Sequence, residues 1–337
     1  MTPYKIVILG CGWFGTSLAQ HLAKLGRDVW MWTRCPEEAK TINQTHYHPN
    51  CLQNIQLHHN IHASSEMSSE LFQNTTAILT AIPTQALREV LLQAKPHLPH
   101  QPLIINVAKG IEIGSHQLPS QIIAETIGVK QTQRYVSLSG PSFAQEVADG
   151  LPTAVSAGSH HYEAQHLVQD IFHSPYFRVY TSPDPIGLEI AGAIKNIIAI
   201  AAGACQGLGF AANSQAALIT RGLAEMTRIG TSIGANPMTF RSLGGVGDLF
   251  LTCSSQKSRN FQVGWLLGQG KTRQEAMDAI GSTAEGVTTT LAARELGKRQ
   301  HISTPITDSV YKVLHEDQPI RQAVQELMAR DAKHEWD

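Results

Sequence analysis

The chain has 337 residues, 42% of them apolar, and 26 Lys and Arg set against 27 Asp and Glu for a formal charge of −1. That length exceeds the usual reach of one hydrophobic core and implies two domains, while the balanced charge excludes nucleic-acid or membrane-surface binding as the main role. Cys11, Cys35, Cys51, Cys205 and Cys253 are scattered with no Cys-x-x-Cys pair, which excludes a disulfide framework and suits reduced thiols in a cytoplasmic protein.

The first predicted element is a strand over residues 4–9, which leaves no room for a signal peptide before it. It closes on Gly10-Cys11-Gly12-Trp13-Phe14-Gly15, and a helix over residues 16–25 follows, ended by Gly26. Strand, Gly-x-Gly-x-x-Gly and helix together read as a dinucleotide site. Gly10 permits the turn, Gly12 lets backbone approach a pyrophosphate, Gly15 lets the helix lie close to the strand, and the amides of the helix start face the phosphates.

Residues 28–33 read as the second parallel strand. It ends in Thr33-Arg34 where an NAD-selective site would place an acid for the ribose 2′-hydroxyl. Arg34 can pair with a 2′-phosphate or stack on the adenine, which favours NADP(H) and still admits NAD(H). Residues 45–62 read as a long loop bearing His46, His48, His58, His59 and His62, whose spacing matches no ligand motif, so no metal is expected.

Strands are predicted at 76–82, 103–107 and 135–139. Lys109 follows the second of these, at the sheet end where open parallel sheets place ligands. The third runs into Gly140-Pro141-Ser142-Phe143-Ala144, which is not a nucleophile elbow, and then a helix-like stretch at 145–148. Last strands at 154–157 and 177–180 flank a helix at 162–172. The alternation predicts a doubly wound parallel sheet, a Rossmann domain, over residues 1–185.

Beyond Pro185 the periodicity becomes helical, at 187–206, 214–233, 260–267, 273–280, 288–298, 305–315 and 319–330, with no repeat among these segments. An all-helical substrate-binding domain over residues 186–337 follows, with substrate in the cleft between domains. The most apolar run, 186–204, contains Glu189, Lys195 and Asn196 and reads as a buried helix instead of a membrane span.

On that helix Lys195 shares a face with Ala191, Gly192, Ile198, Ala199 and Ala202. Burial there would lower its pKa toward that of a general base, and a nearby Lys109 would add to the effect. The alternative is a lysine that reaches the surface or pairs with Glu189 or another acid. Asp248, in Gly244-Gly245-Val246-Gly247-Asp248, is either a helix cap or a functional acid. Ser258-Arg259-Asn260 opens a helix with a guanidinium fork suited to phosphate, and Cys253 reads as a packed thiol.

Taken together, the residue 10–15 turn, Asn106-Val107-Ala108-Lys109-Gly110, Ser139-Gly140-Pro141-Ser142-Phe143-Ala144, Ala193-Ile194-Lys195-Asn196, the segment 218–226, Gly247-Asp248-Leu249 and Ser258-Arg259-Asn260 closely resemble the bacterial NAD(P)-dependent glycerol-3-phosphate dehydrogenases. The resemblance runs in order from about residue 4 to 330. It implies hydride transfer between NAD(P)H and dihydroxyacetone phosphate to give sn-glycerol 3-phosphate, reversibly, with reduction supplying phospholipid synthesis.

It further implies Lys195 as proton donor and acceptor at the substrate C2 oxygen, and substrate contacts at Lys109, Gly140, Ser142, Asp248, Ser258, Arg259 and Asn260. Cofactor contacts are implied at Trp13, Phe14, Arg34, Ala144, Thr283 and Glu285, with Lys109 and Arg259 serving both. The departures are Cys11 for a usual alanine, Trp13-Phe14 where a serine often comes first, and Ser282-Thr283-Ala284 before Glu285 where apolar residues are common. The residues alone leave open a related hydroxy-acid or sugar-acid dehydrogenase, and a non-catalytic dinucleotide sensor. The apolar helices of the second domain are compatible with a homodimer.

Overall fold

The computed structural model describes residues 4–128, 134–281, 283–332 and 334–335. One eight-stranded sheet has the order β3-β2-β1-β4-β5-β6-β7-β8. Its strands are β1 (Lys5–Leu9), β2 (Asp28–Trp32), β3 (Ile61–Ser64), β4 (Ala77–Thr80), β5 (Leu103–Asn106), β6 (Tyr135–Ser139), β7 (Thr153–Gly158) and β8 (Phe177–Ser182). The first six pair in parallel.

The central strands are apolar at almost every position because helices cover both faces. Successive side chains of β1 point to opposite sides. Ile6 and Ile8 pack with α1 (Trp13–Lys24), α2 (Pro36–Thr45) and, farther along, residues 144–149 and 162–172, whereas Val7 and Leu9 pack with α3 (Ser69–Phe72), α4 (Thr84–Ala94) and α5 (Pro119–Ile127). The order reverses between β1 and β4, which opens a crevice at the carboxyl ends of those strands.

Three expectations need correction. The sheet is mixed: β7 runs antiparallel to β6, and β8 lies parallel to β7. The cause is α6 (Ala144–Asp149), whose six residues span about 9 Å. The five residues of β6 cover about 16 Å, so the helix is too short to carry the chain back along the strand, and it re-enters from the end it left. The loop expected over 45–62 overruns the start of β3, an edge strand of Ile-His-Ala-Ser too short to show alternation. Finally, α1 already begins at Trp13, because the residues read as part of the glycine turn are in its first turn.

After α7 (Tyr162–Phe172) and β8, the described chain is helical: α8 (Pro185–Gly207), α9 (Ala212–Ser232), α10 (Asp248–Cys253), α11 (Arg259–Gly268), α12 (Arg273–Ile280), α13 (Glu285–Arg299), α14 (Pro305–His315) and α15 (Ile320–Met328). Helix α8 forms the axis of this half. Asp184 caps it by accepting from the Gly187 amide at 2.9 Å, Pro185 occupies its first turn, and most of its apolar residues are buried. Among the described residues α8 is the one helix long and apolar enough to cross a membrane, and 89% of its apolar window is buried inside the protein.

Helix α11 lies directly on α8. A Cβ added at Gly264 would overlap the Ile200 carbonyl, and one added at Gly203 would overlap the Phe261 carbonyl. Backbone therefore meets backbone, which sets the start of α11 relative to Lys195. Gly264→Ala is expected to destabilise the protein by about 1–3 kcal/mol through overpacking, even though alanine favours helix by about 1 kcal/mol. Calorimetry should show a Tm several degrees lower, and an unchanged Tm would remove this packing argument.

Candidate active site

At the crevice, β1 turns sharply into α1. Gly10 has a φ of 117°, and a Cβ there would sit 2.6 Å from the Ala81 carbonyl oxygen on the β4 side, so only glycine fits. A Cβ on Gly15 would overlap the Gly10 carbonyl, whereas one on Gly12 would meet nothing within 4 Å. Gly12 is also the N-cap of α1 and supplies no side-chain cap, and the first turn carries no acid. The amides at the helix start are thus left to an outside acceptor, and the residues present fit a dinucleotide pyrophosphate. Trp13 is exposed and Phe14 half-buried beside this turn, and Arg34 is exposed just beyond β2.

At the end of β5, Asn106 braces the turn that carries Lys109. Its Oδ1 accepts from Thr80 Oγ1 at 2.8 Å and from the Ala108 amide at 3.2 Å. The Lys109 stem crosses Gly192 of α8, where an added Cβ would lie 3.2 Å from Cγ. Its Nζ then reaches Asp248 Oδ2 at 2.6 Å. From α8, Lys195 Nζ reaches the other oxygen, Oδ1, at 2.8 Å and donates to Thr252 Oγ1 at 2.7 Å.

Asp248 thus binds two ammonium groups and is not the cap of α10, a place held by Gly247. The acid that pairs with Lys195 is Asp248 and not Glu189. The Glu189 carboxylate accepts from the Ser120 amide at 2.8 Å, from Ser120 Oγ at 2.6 Å and from the Tyr135 hydroxyl, tying α8 to α5 and β6.

The electrostatics follow from burial. Lys195 is 7% exposed. Burial pulls its pKa down to about 8, Asp248 opposes the fall, and the Lys109 charge adds to it. Burial pushes the Asp248 carboxyl up, but the Lys109 and Lys195 charges more than offset this and hold it below the usual carboxylate range. Cys253, one residue past Thr252, is buried and pushed up to about 12, an inert thiol. Thr252 was not identified from sequence. Its signal is the four-residue spacing from Asp248, which puts both on one face of α10; its hydroxyl donates back to the Asp248 carbonyl at 2.6 Å.

The remaining site residues fall into two groups. At the start of α11, Ser258 is the N-cap and its Oγ accepts from the Phe261 amide at 3.3 Å, leaving the hydroxyl proton to donate. Asn260 Oδ1 accepts from the Gly286 amide at 2.9 Å and so joins α11 to α13. Arg259 is exposed. Glu285, first residue of α13, is pushed up to about 7 by burial, while the charges of Arg259, Lys109 and Lys195 and the Thr84 amide pull it back. On the sheet side, the Gly140-Pro141-Ser142 turn lies against the glycine segment before Asp248, where a Cβ on Gly247 would be 3.7 Å from Pro141 Cδ. Ser142 Oγ donates to the Gly140 carbonyl at 3.0 Å, and Ala144 is half-buried at the start of α6.

Among the described residues, neither Arg34 nor the exposed Thr283 makes a hydrogen bond or ion pair with the lysine cluster, and Ser282 lies outside the described residues. No group of three or more His, Cys, Asp or Glu among them is placed to hold a metal.

Comparison with known proteins agrees with this geometry. Residues 5–165 match the family model for the NAD-dependent glycerol-3-phosphate dehydrogenase N-terminus, and residues 184–325 match that for its C-terminus. A relative from Enterococcus faecalis named glycerol-3-phosphate dehydrogenase, NAD(P)+, is 44% identical over 98% of this chain and 97% of its own. The crystal structure of glycerol-3-phosphate dehydrogenase from Coxiella burnetii superposes with a TM-score of 0.92 at 36% identity, covering 97% of this chain and 99% of that one. The enzyme from Saccharomyces cerevisiae does so with a TM-score of 0.83 at 27% identity, covering 98% and 100%. The chain is an NAD(P)-dependent oxidoreductase and belongs to the NAD-dependent glycerol-3-phosphate dehydrogenase family.

Proposed function

We propose that the chain interconverts dihydroxyacetone phosphate and sn-glycerol 3-phosphate in a cleft between a domain of residues 1–185 and a domain of residues 186–337. The observation that carries this reading is the buried Lys195 ammonium, held by Asp248 and Thr252 and flanked by Lys109, at the carboxyl end of a dinucleotide-binding sheet. The reduced nicotinamide, when bound, supplies the hydride for the carbonyl carbon. Lys195 supplies the proton for the attached oxygen and takes it back in the oxidative direction.

Asp248 keeps the Lys195 proton from being lost to burial, and Thr252 directs the ammonium. Arg259, with the Ser258 hydroxyl and Asn260 at a helix start, grips the substrate phosphate, and that binding energy holds the carbonyl carbon in place. Gly140 and Ser142 line the opposite wall. Trp13, Phe14, Ala144, Thr283 and Glu285 border the cofactor. Arg34 at the end of β2 supports a preference for NADP(H). The product suits phospholipid synthesis in the cytoplasm.

Lys195→Ala is expected to lower turnover by about two to four orders of magnitude, the usual contribution of a positioned acid or base, with NADPH affinity by fluorescence titration nearly unchanged. In the wild-type enzyme, oxidation of glycerol 3-phosphate should rise with pH through about 8 as Lys195 loses its proton, and a limb near 10 would contradict a buried amine. Arg259→Ala should raise KM for dihydroxyacetone phosphate about tenfold to a hundredfold, the worth of a charged hydrogen bond; a normal KM would count against the phosphate assignment. Arg34→Ala should raise KM for NADPH about twofold to fivefold, the worth of an exposed ion pair, and change that for NADH less, which steady-state assays with both cofactors will test.

A further inference from the structure

The histidine-bearing loop reaches under the glycine turn. Of the histidines at 46, 48, 58, 59 and 62, His48 alone is buried, at 1% exposure, and its ring is hydrogen-bonded on both sides. The amides of Asn50 and Cys51 donate to Nδ1 at 3.1 and 3.0 Å. That acceptor role puts the ring proton on Nε2, which donates to the Cys11 carbonyl at 2.7 Å. The same carbonyl accepts from Thr16 Oγ1 at 3.1 Å.

In a planar trans peptide the C=O and N–H point in opposite directions. Two donors that hold the Cys11 carbonyl inward therefore aim the Gly12 N–H outward, to the exposed face of the turn. Glu38 of α2 extends the network. Its Oε1 lies 3.4 Å from His48 Nε2 and accepts from Asn50 Nδ2 at 3.5 Å, while its Oε2 accepts the hydroxyl of Thr33, the residue before Arg34. An acid does stand near the end of β2, but its carboxylate faces this network.

We propose that His48 is a positioning residue for cofactor binding: it orients the Cys11–Gly12 peptide so that the Gly12 amide faces the pyrophosphate, and it couples that turn through Glu38 to the end of β2. The proposal rests on the glycine turn being the phosphate site of the dinucleotide. The far end of the loop has its own anchor, Gln20, which donates to the Gln56 carbonyl at 3.0 Å and accepts from the His58 amide at 2.8 Å. This provides a control within the same loop.

The test is NADPH titration by fluorescence, with steady-state kinetics, on wild type, His48→Gln, His48→Leu and Gln20→Ala. Glutamine carries an N–H donor about where the imidazole has Nε2; leucine keeps bulk and loses the donor. His48→Leu is expected to raise Kd and KM for NADPH about tenfold, the worth of one buried hydrogen bond, with kcat at saturating NADPH and KM for dihydroxyacetone phosphate within about twofold. His48→Gln should restore most of the affinity, and Gln20→Ala should leave it unchanged. An unchanged Kd in folded His48→Leu, or an equal loss in Gln20→Ala, would overturn the proposal. Should His48→Leu fail to fold, Thr16→Val removes the other donor to the same carbonyl and is read by the same outcomes. A wild-type protein that binds neither NADPH nor NADH would instead remove the reading beneath it.

Discussion

One buried carboxylate between two ammonium groups is the constraint on which the rest of the site depends. Asp248 accepts Lys109 on one oxygen and Lys195 on the other. An ammonium taken out of water without a counter-charge loses its proton, and a buried pair deprived of one member is strongly destabilised. Two lysines against one aspartate leave these three side chains with one positive charge in excess, and Arg259 adds another, which Glu285, pushed up to about 7 by burial, offsets only in part. The cleft is therefore electrostatically incomplete until an anion enters it, which is the state expected of a site for a phosphorylated substrate. Asp248 also sets how far burial can lower the Lys195 pKa, so a single side chain fixes both the charge and the acidity of the proposed catalytic group.

The fold brings these groups together by placing rigid elements against one another. The Lys109 turn hangs from β5, braced by Asn106. Lys195 projects from α8, the most buried helix, and Asp248 and Thr252 share one face of α10. The backbone contact between α8 and α11 at Gly203 and Gly264 sets where the Ser258-Arg259-Asn260 helix start lies, so the proposed phosphate group and Lys195 are held by the same joint. The glycine turn sits at the reversal of strand order between β1 and β4 and is backed from below by His48, whose ring meets the Cys11 carbonyl.

Much of this was legible in the chain because it is local. The glycine spacing predicts the β1–α1 turn, since each glycine answers a short-range steric demand. The small residues around Lys195 predict its burial by helical periodicity alone. What was not legible is non-local. Nothing near Lys195 in sequence identifies Asp248 as its partner, and Glu189, the acid nearest along α8, turns to Ser120 and Tyr135. The antiparallel β7 depends on the length of α6, and β3 is too short to show a period. His48 looked like one more polar loop histidine, because its role is visible only once Cys11 is seen above it. Thr252 was hidden in the same way, since a threonine four residues from an aspartate is common in helices.

The most direct measurement of the central claim is the pH dependence of kcat/KM for glycerol 3-phosphate oxidation in Asp248→Asn beside wild type. Removal of the carboxylate takes away the charge that raises the Lys195 pKa, so the ascending limb should move to lower pH. A limb that stays in place or moves upward would mean that the titrating group is not the amine held by Asp248.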